Sequence, residues 1–143
     1  MGYNIRLIKE RFLIYKDNIP DALLCLRETH ARHYGKTKFD WVDGAYIWAH
    51  TIREALKCWN YKAYFDFDGN LVSLDFIGEK LGDEVILFET IATYVQEGSF
   101  LQFEGEDNAR WAYYFTGNSM MTLRCPPGQN RPGRMYSYDG TYR

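Results

Sequence analysis

From Tyr61 to Ile77 apolar and polar residues alternate. Ala63, Phe65 and Phe67 fall on one side, and Tyr64, Asp66 and Asp68 on the other. Asp68-Gly69-Asn70 follows, with residues that accept positive φ in a tight turn, and then Val72, Leu74 and Phe76 return opposite Ser73 and Asp75. The pattern predicts a hairpin with one apolar and one wet face, as in an antiparallel sheet covered by helices on one side. The run Gly78-Glu79-Lys80-Leu81-Gly82-Asp83-Glu84 closes the second strand and starts a helix, broken from the strand by Gly82 and capped by Asp83. Phe88, Ile91, Ala92 and Val95 form the stripe of that helix and Gly98 ends it. A strand from Ser99 to Glu104, a turn at Gly105-Glu106-Asp107-Asn108, and a strand from Arg110 to Thr116 come next, the last with Trp111, Tyr113 and Phe115 on one face. Gly117-Asn118 turns the chain into a final strand near Met120 to Arg124.

The first sixty residues are less regular. A strand is expected from Ile8 to Tyr15, apolar on both faces at its end and therefore central or covered. Asp17 or Asn18 caps a helix with Pro20 in its first turn, and Leu23, Leu26, His30 and His33 give it one stripe up to a stop at Gly35. A loop from Lys36 to Gly44 carries Phe39 and Trp41. A second helix, capped by Asp43, is expected from Gly44 to Trp59 with Trp48, Ile52, Ala55 and Trp59 buried and Asn60 as terminator. The order is β-α-α-β-β-α-β-β-β. Without the second helix and the last strands it is β-α-β-β-α-β, the ferredoxin-like pattern. The fold class is thus α+β: an antiparallel sheet of five or six strands with helices packed on one face. One domain spans residues 1–125, and residues 126–143 form a tail rich in Gly, Pro, Arg and Tyr.

Composition narrows the class. At 143 residues the chain is one ordinary domain, able to build its core without metal or disulfide. A formal charge of −2 gives no global field for DNA or an anionic membrane. Cys25, Cys58 and Cys125 are odd in number and widely spaced, which fits a reducing cytoplasm better than a disulfide framework. Neither a signal peptide nor a membrane span is expected. The 12 tyrosines suit strands, and they also suit interfaces.

Gly78-Glu79-Lys80-Leu81-Gly82-Asp83-Glu84, followed by Leu87-Phe88, Ile91-Ala92, Tyr94-Val95, Gly98-Ser99, Gly105-Glu106-Asp107 and Trp111, resembles a group of small uncharacterised proteins of Firmicutes and their phages or mobile elements. Ala55-Leu56, Trp59 and the turn at Asp68 belong to the same pattern, which covers roughly residues 55–115. No activity is established for that group, so the resemblance implies a fold and a mobile-element origin but no catalytic residue.

Several constellations have candidate chemistry. His30 and His33 share a helix face and would supply two metal ligands, but Cys25 lies on a different face, Glu28 points away and nothing in the sequence places His50. Their spacing is not a zinc-enzyme motif, and such histidines commonly edge a core stripe, so no metal or other cofactor is expected. Asp66, Asp68, Gly69 and Asn70 lack the third oxygen ligand and the distal acid of a calcium loop and read as a turn. Asp66 and Asp75, with Glu104, would be the acid pair of a small hydrolase, although carboxylates on a wet sheet face are the ordinary case. Tyr64 and Tyr114 would stack on single-stranded RNA if the sheet face were not acidic. No phosphate loop, nucleophile elbow or activated cysteine is present.

The expected function is therefore non-enzymatic: a cytoplasmic binding protein that occupies a host protein as a defence inhibitor or regulator. Its contact residues would be Phe39 and Trp41 in the loop and Arg131, Arg134, Tyr136, Tyr138 and Tyr142 in the tail, since Arg and Tyr dominate interface energetics. The alternatives are an oligomeric binder of a small nucleotide, clamped by the same Arg and Tyr residues, and the small hydrolase. A homo-oligomer is compatible with the first two. Nucleic-acid and membrane partners are not expected.

Overall fold

The structure, a computed structural model, describes residues 2–29, 39–125 and 136–137. It is an α+β fold. Strand β1 (Ile5–Arg11) is followed by helix α1 (Ile19–Arg27), helix α2 (Ile52–Cys58), the hairpin β2 (Tyr61–Phe65) and β3 (Leu71–Phe76), helix α3 (Glu84–Ile91), and strands β4 (Phe100–Gly105), β5 (Arg110–Phe115), β6 (Met120–Cys125) and β7 (Tyr136–Ser137). The strands divide between two antiparallel ladders, β1-β4-β5-β6-β7 and β2-β3, instead of forming one sheet.

β1 is shorter and earlier than the apolar run implied. After Arg11 the chain leaves the ladder and drops into the core, where Phe12 and Ile14 are fully buried. There it is held by other partners. The Leu13 N–H donates to Ser99 Oγ at 3.1 Å, and Ile14 and Leu71 exchange both backbone bonds, at 2.9 and 3.0 Å. Glu10 extends this join, its carboxylate accepting from Ser73 Oγ and from the Leu74 N–H. β1 is thus an edge of its own ladder, but the β2–β3 hairpin covers it.

The expected second helix is two pieces. Gly44–Trp48 is a 3-10 turn opened by Asp43, whose side chain accepts from the Ala45 N–H. Ala49 and Thr51 are then extended, and Thr51 caps α2 by accepting from the Glu54 N–H while Glu54 accepts from the His50 N–H. This is a displaced form of the reciprocal Thr-x-x-Glu cap. The break removes Trp48 from the buried stripe and leaves it 73% exposed, while Ile52, Ala55 and Trp59 stay inside.

In the hairpin, Tyr61, Ala63, Leu71 and Leu74 face the core. A bulge after Tyr64 shifts the register, so that Phe65 pairs with Leu71 and Val72 turns outward. Phe67, expected inside, lies past the bulge in the turn and is fully exposed. The bulge changes which side of β3 faces the core, so that Leu71 and Leu74, three residues apart, are both buried.

The core is aromatic. Phe12 meets Phe88 and Phe115 edge-on, and Tyr61 meets Phe88 the same way. Phe39, Tyr46 and Trp59 form a second ring cluster under α2. Within the stretch expected as a tail, Tyr136–Ser137 pair with Arg124 and Leu123 of β6.

Candidate functional site

A cleft of about 720 Å³ opens between α3 and the face of β5 and β6. Its walls come from parts of the chain far apart in sequence. The Leu81-Gly82 segment runs antiparallel beside the N-terminus: Leu81 N–H donates to the Tyr3 carbonyl at 2.7 Å, and Ile5 N–H to the Glu79 carbonyl at 2.9 Å. The Gly78–Glu84 run is therefore an architectural joint that forms one lip of the cleft. The turn after β4 forms another, with Glu106 N–H donating to the Asn4 carbonyl.

Two glycines permit these close approaches. A Cβ on Gly82 would overlap the Asp40 carbonyl oxygen, and one on Gly105 would overlap the Tyr3 hydroxyl. Asp83, at the start of α3, does not cap its own helix. Its carboxylate accepts the Asp40 N–H at 2.8 Å and ties the Phe39–Trp41 segment to the α3 end of the cleft.

The floor is aromatic. Trp111 stacks on Phe103 with centroids 5.8 Å apart and planes at 13°, and Tyr3 lies 6.2 Å from Trp111. Tyr113 is next on the same strand face, its ring packed against Phe88 and Phe103. Across the ladder, Arg124 is opposite Trp111 and Thr122 opposite Tyr113, and both line the cleft. Val85 and Glu89 look in from α3.

The charge balance is negative. Burial and then the hydrogen bond to Asp107 push the Tyr3 hydroxyl up to about 12, with Glu106 acting in the same direction. The Tyr113 hydroxyl is raised by burial and then by Glu84, with a smaller push from Glu89. Asp107, in return, is held below the usual carboxylate range by Tyr3 and by the Ala109 N–H. Beneath the cleft, Glu84 is buried and its carboxyl is raised to about 7, chiefly by desolvation and against the opposing hydrogen bonds from the backbone. The Tyr61 hydroxyl is fully buried with no hydrogen-bond partner among the described residues, and it is raised by burial and by Glu84.

The residues singled out from sequence are scattered. Trp41 is half exposed with φ of 62°, held by its carbonyl accepting from Asn60 Nδ2. Phe39 is buried against Tyr46 and Trp59, so it is a core residue and is not presented to a partner. Arg131, Arg134, Tyr138 and Tyr142 lie outside the described residues, as do His30 and His33. Tyr136 is in β7.

The acid pair does not converge. Asp75 is opposite Lys62 while Asp66 closes the far end of the hairpin opposite Asn70. Four strand rises, roughly 13 Å, separate them, more than two carboxyls acting on one bond allow. Glu104 sits in the other ladder and accepts from Arg6 and Arg110. Tyr64 and Tyr114 likewise occupy different ladders. Cys58 is raised, first by burial and then by Asp43, the opposite of an activated thiol.

Sequence reasoning did not pick out Tyr3, Glu89 or Arg124. Among the described residues no three His, Cys, Asp or Glu side chains are grouped to hold a metal ion, and no helix is long and apolar enough to cross a membrane. No protein-family model, curated protein or solved structure matches the chain.

Proposed function

We propose that this chain is a non-enzymatic binding protein that occupies a host protein, and that its cleft receives a cationic side chain, lysine or arginine, from that partner. The observation that carries this reading is an aromatic floor under negative potential. Trp111 and Tyr3 line the cleft together with the carboxylates of Asp107 and Glu89, which outnumber its one lining cation, Arg124. A cation over an aromatic face and beside a carboxylate gains from both, by about 0.5–2 kcal/mol for the ring alone. A regulator or defence inhibitor carried by a phage or mobile element would act in this way. The ferredoxin-like order remains part of the proposal, supported by the β1–β4 pairing and the β2–β3 hairpin.

Titration with short peptides tests it, read from the Trp111 indole N–H resonance assigned through Trp111→Phe. Arginine- or lysine-containing peptides are expected to shift that resonance, and Glu89→Lys should abolish the shift. Equal response to a glutamate peptide would overturn the reading.

Arg124 favours a second reading, a small-ligand site for a nucleotide. The volume lies within the usual 300–1,000 Å³ of such pockets. Native mass spectrometry of gently purified protein separates the two. Retained nucleotide mass would support the second reading, and a shift with nucleoside triphosphate but not with cationic peptides would replace the first.

A further inference from the structure

The hairpin tip is built to hold one apolar side chain in solvent. The Asp66 carboxylate accepts from the Asp68 N–H, the Asn70 N–H and Asn70 Nδ2, all between 2.9 and 3.0 Å. Asn70 Oδ1 in turn accepts the Lys16 N–H at 2.8 Å and pins the tip to the 3-10 turn Lys16–Asn18 that leads into α1. The Phe67 ring, on this braced turn, is fully exposed. A rigid aromatic knob loses little freedom on docking, which is what makes an interface anchor effective.

Beside the knob is a hole. A groove of about 780 Å³ lies between α1 and the start of α2, walled by Ile19, Pro20, Leu23, Ile52 and Phe65. It is bordered by His50 and by the cations Lys16 and Arg53, which outnumber its one carboxylate, Glu54, and the Arg53 guanidinium lies 4.8 Å from the Phe65 ring centroid. The knob carries the opposite sign, since Phe67 is flanked by the exposed carboxylates of Asp66 and Asp68. Knob and hole adjoin each other on the same surface, because Phe65 and Gly69, on either side of the tip, line the groove. One surface thus carries both halves of a complementary contact, as a twofold interface requires.

We infer that the occupant of the groove is a second copy of this chain, in a twofold dimer where each Phe67 enters the groove of its partner and Asp66 and Asp68 meet Lys16 and Arg53. An aromatic side chain buries about 150–250 Å², so two knobs and their sockets hide roughly 600–1,000 Å², below the 1,200 Å² of a standard interface. The dimer is accordingly weak and reversible, and salt loosens it.

Sedimentation velocity on the full chain, from about 5 to about 500 µM and at low and high salt, tests this. The expected result is a concentration-dependent monomer–dimer equilibrium that weakens with salt. Phe67→Ser and Leu23→Arg, which remove the knob and block the groove, should each weaken it at least about tenfold. Melting temperature checks folding, and Phe67→Ser should melt like the wild type. An equimolar mixture of the two variants regains one knob-in-groove contact and should associate more strongly than either alone. A wild type that stays monomeric throughout, a dimer indifferent to both substitutions, or open-ended assembly in place of a closed dimer would each overturn the inference.

Discussion

Both carboxylate oxygens of Glu84 lie 3.0 Å from the backbone nitrogen of Gly82 and share its N–H. The pairing folds the start of α3 back onto the lip of the cleft and buries an acid in doing so. Desolvation outweighs the hydrogen bond, and the carboxyl moves from 4.5 to about 7. A carboxyl raised in the folded state binds its proton more tightly there than in the unfolded chain. The stability it contributes is complete below pH 4.5 and lost as pH rises to 7. The loss is about 3 kcal/mol from a shift of this size. Denaturant unfolding at a series of pH values should show stability falling across that window. Glu84→Gln, which keeps an acceptor for Gly82 but cannot ionise, should flatten the profile and exceed the wild type at pH 8.

Gly82→Ala forces a methyl group into the Asp40 carbonyl. Both sides of that contact are fixed, Asp40 by its bond to Asp83 and Gly82 by Glu84. A destabilisation of about 1–3 kcal/mol is expected, typical of overpacking against backbone. Gly44→Ala is the control, because a Cβ there meets nothing within 4 Å. Urea midpoints for the two variants should move in opposite directions or leave Gly44→Ala unchanged.

Thr51→Ala removes the cap of α2 and frees the Glu54 N–H. The cost should be about 1 kcal/mol. Hydrogen exchange should quicken in the first turn of α2, leaving β5 unaffected.

Asp66→Ala should lower the melting temperature, since three donors in the hairpin turn lose their acceptor. Hydrogen bonds from Asn70 hold the Asp66 carboxyl below its ordinary 3.8. Its contribution is present above that value and fades as pH falls through the depressed one. The difference in melting temperature between wild type and Asp66→Ala should therefore shrink in strong acid.

Much of the fold was legible because it follows local rules. Period-two alternation marked β2 and β3, glycine turns marked β4 to β6, and Phe88 and Ile91 marked α3, which stops at Ile91, so that Ala92 and Val95 of the expected stripe lie in the 3-10 turn and the extended backbone beyond it. The errors came where one residue changes parity. The bulge opposite Tyr64 and Phe65 turns Val72 outward, β2 ends before Phe67 and leaves that ring in the turn, and the extended backbone at Ala49 splits the second helix. Thr51 and Glu54 carried a signal for that split in their Thr-x-x-Glu spacing. Phe39 and Trp41 could not be told apart locally, since contact with Tyr46 and Trp59 buries one and leaves the other half exposed. The cleft was hidden for the same reason. Tyr3, Glu89 and the Trp111–Arg124 pair of the β5–β6 hairpin meet only when three distant segments pack, and no spacing along the chain brings these three together.

The pairing of Tyr136–Ser137 with Arg124 and Leu123 also protects the sheet. Without β7, β6 would end the ladder with unmatched N–H and C=O groups beside the buried Leu123 and Cys125. Such a bare edge is a template for strand addition by any neighbouring molecule. Tyr136 and Ser137 occupy that edge at Arg124 and Leu123, and a chain cut after Cys125 should accordingly keep its core yet aggregate more readily, as light scattering would show.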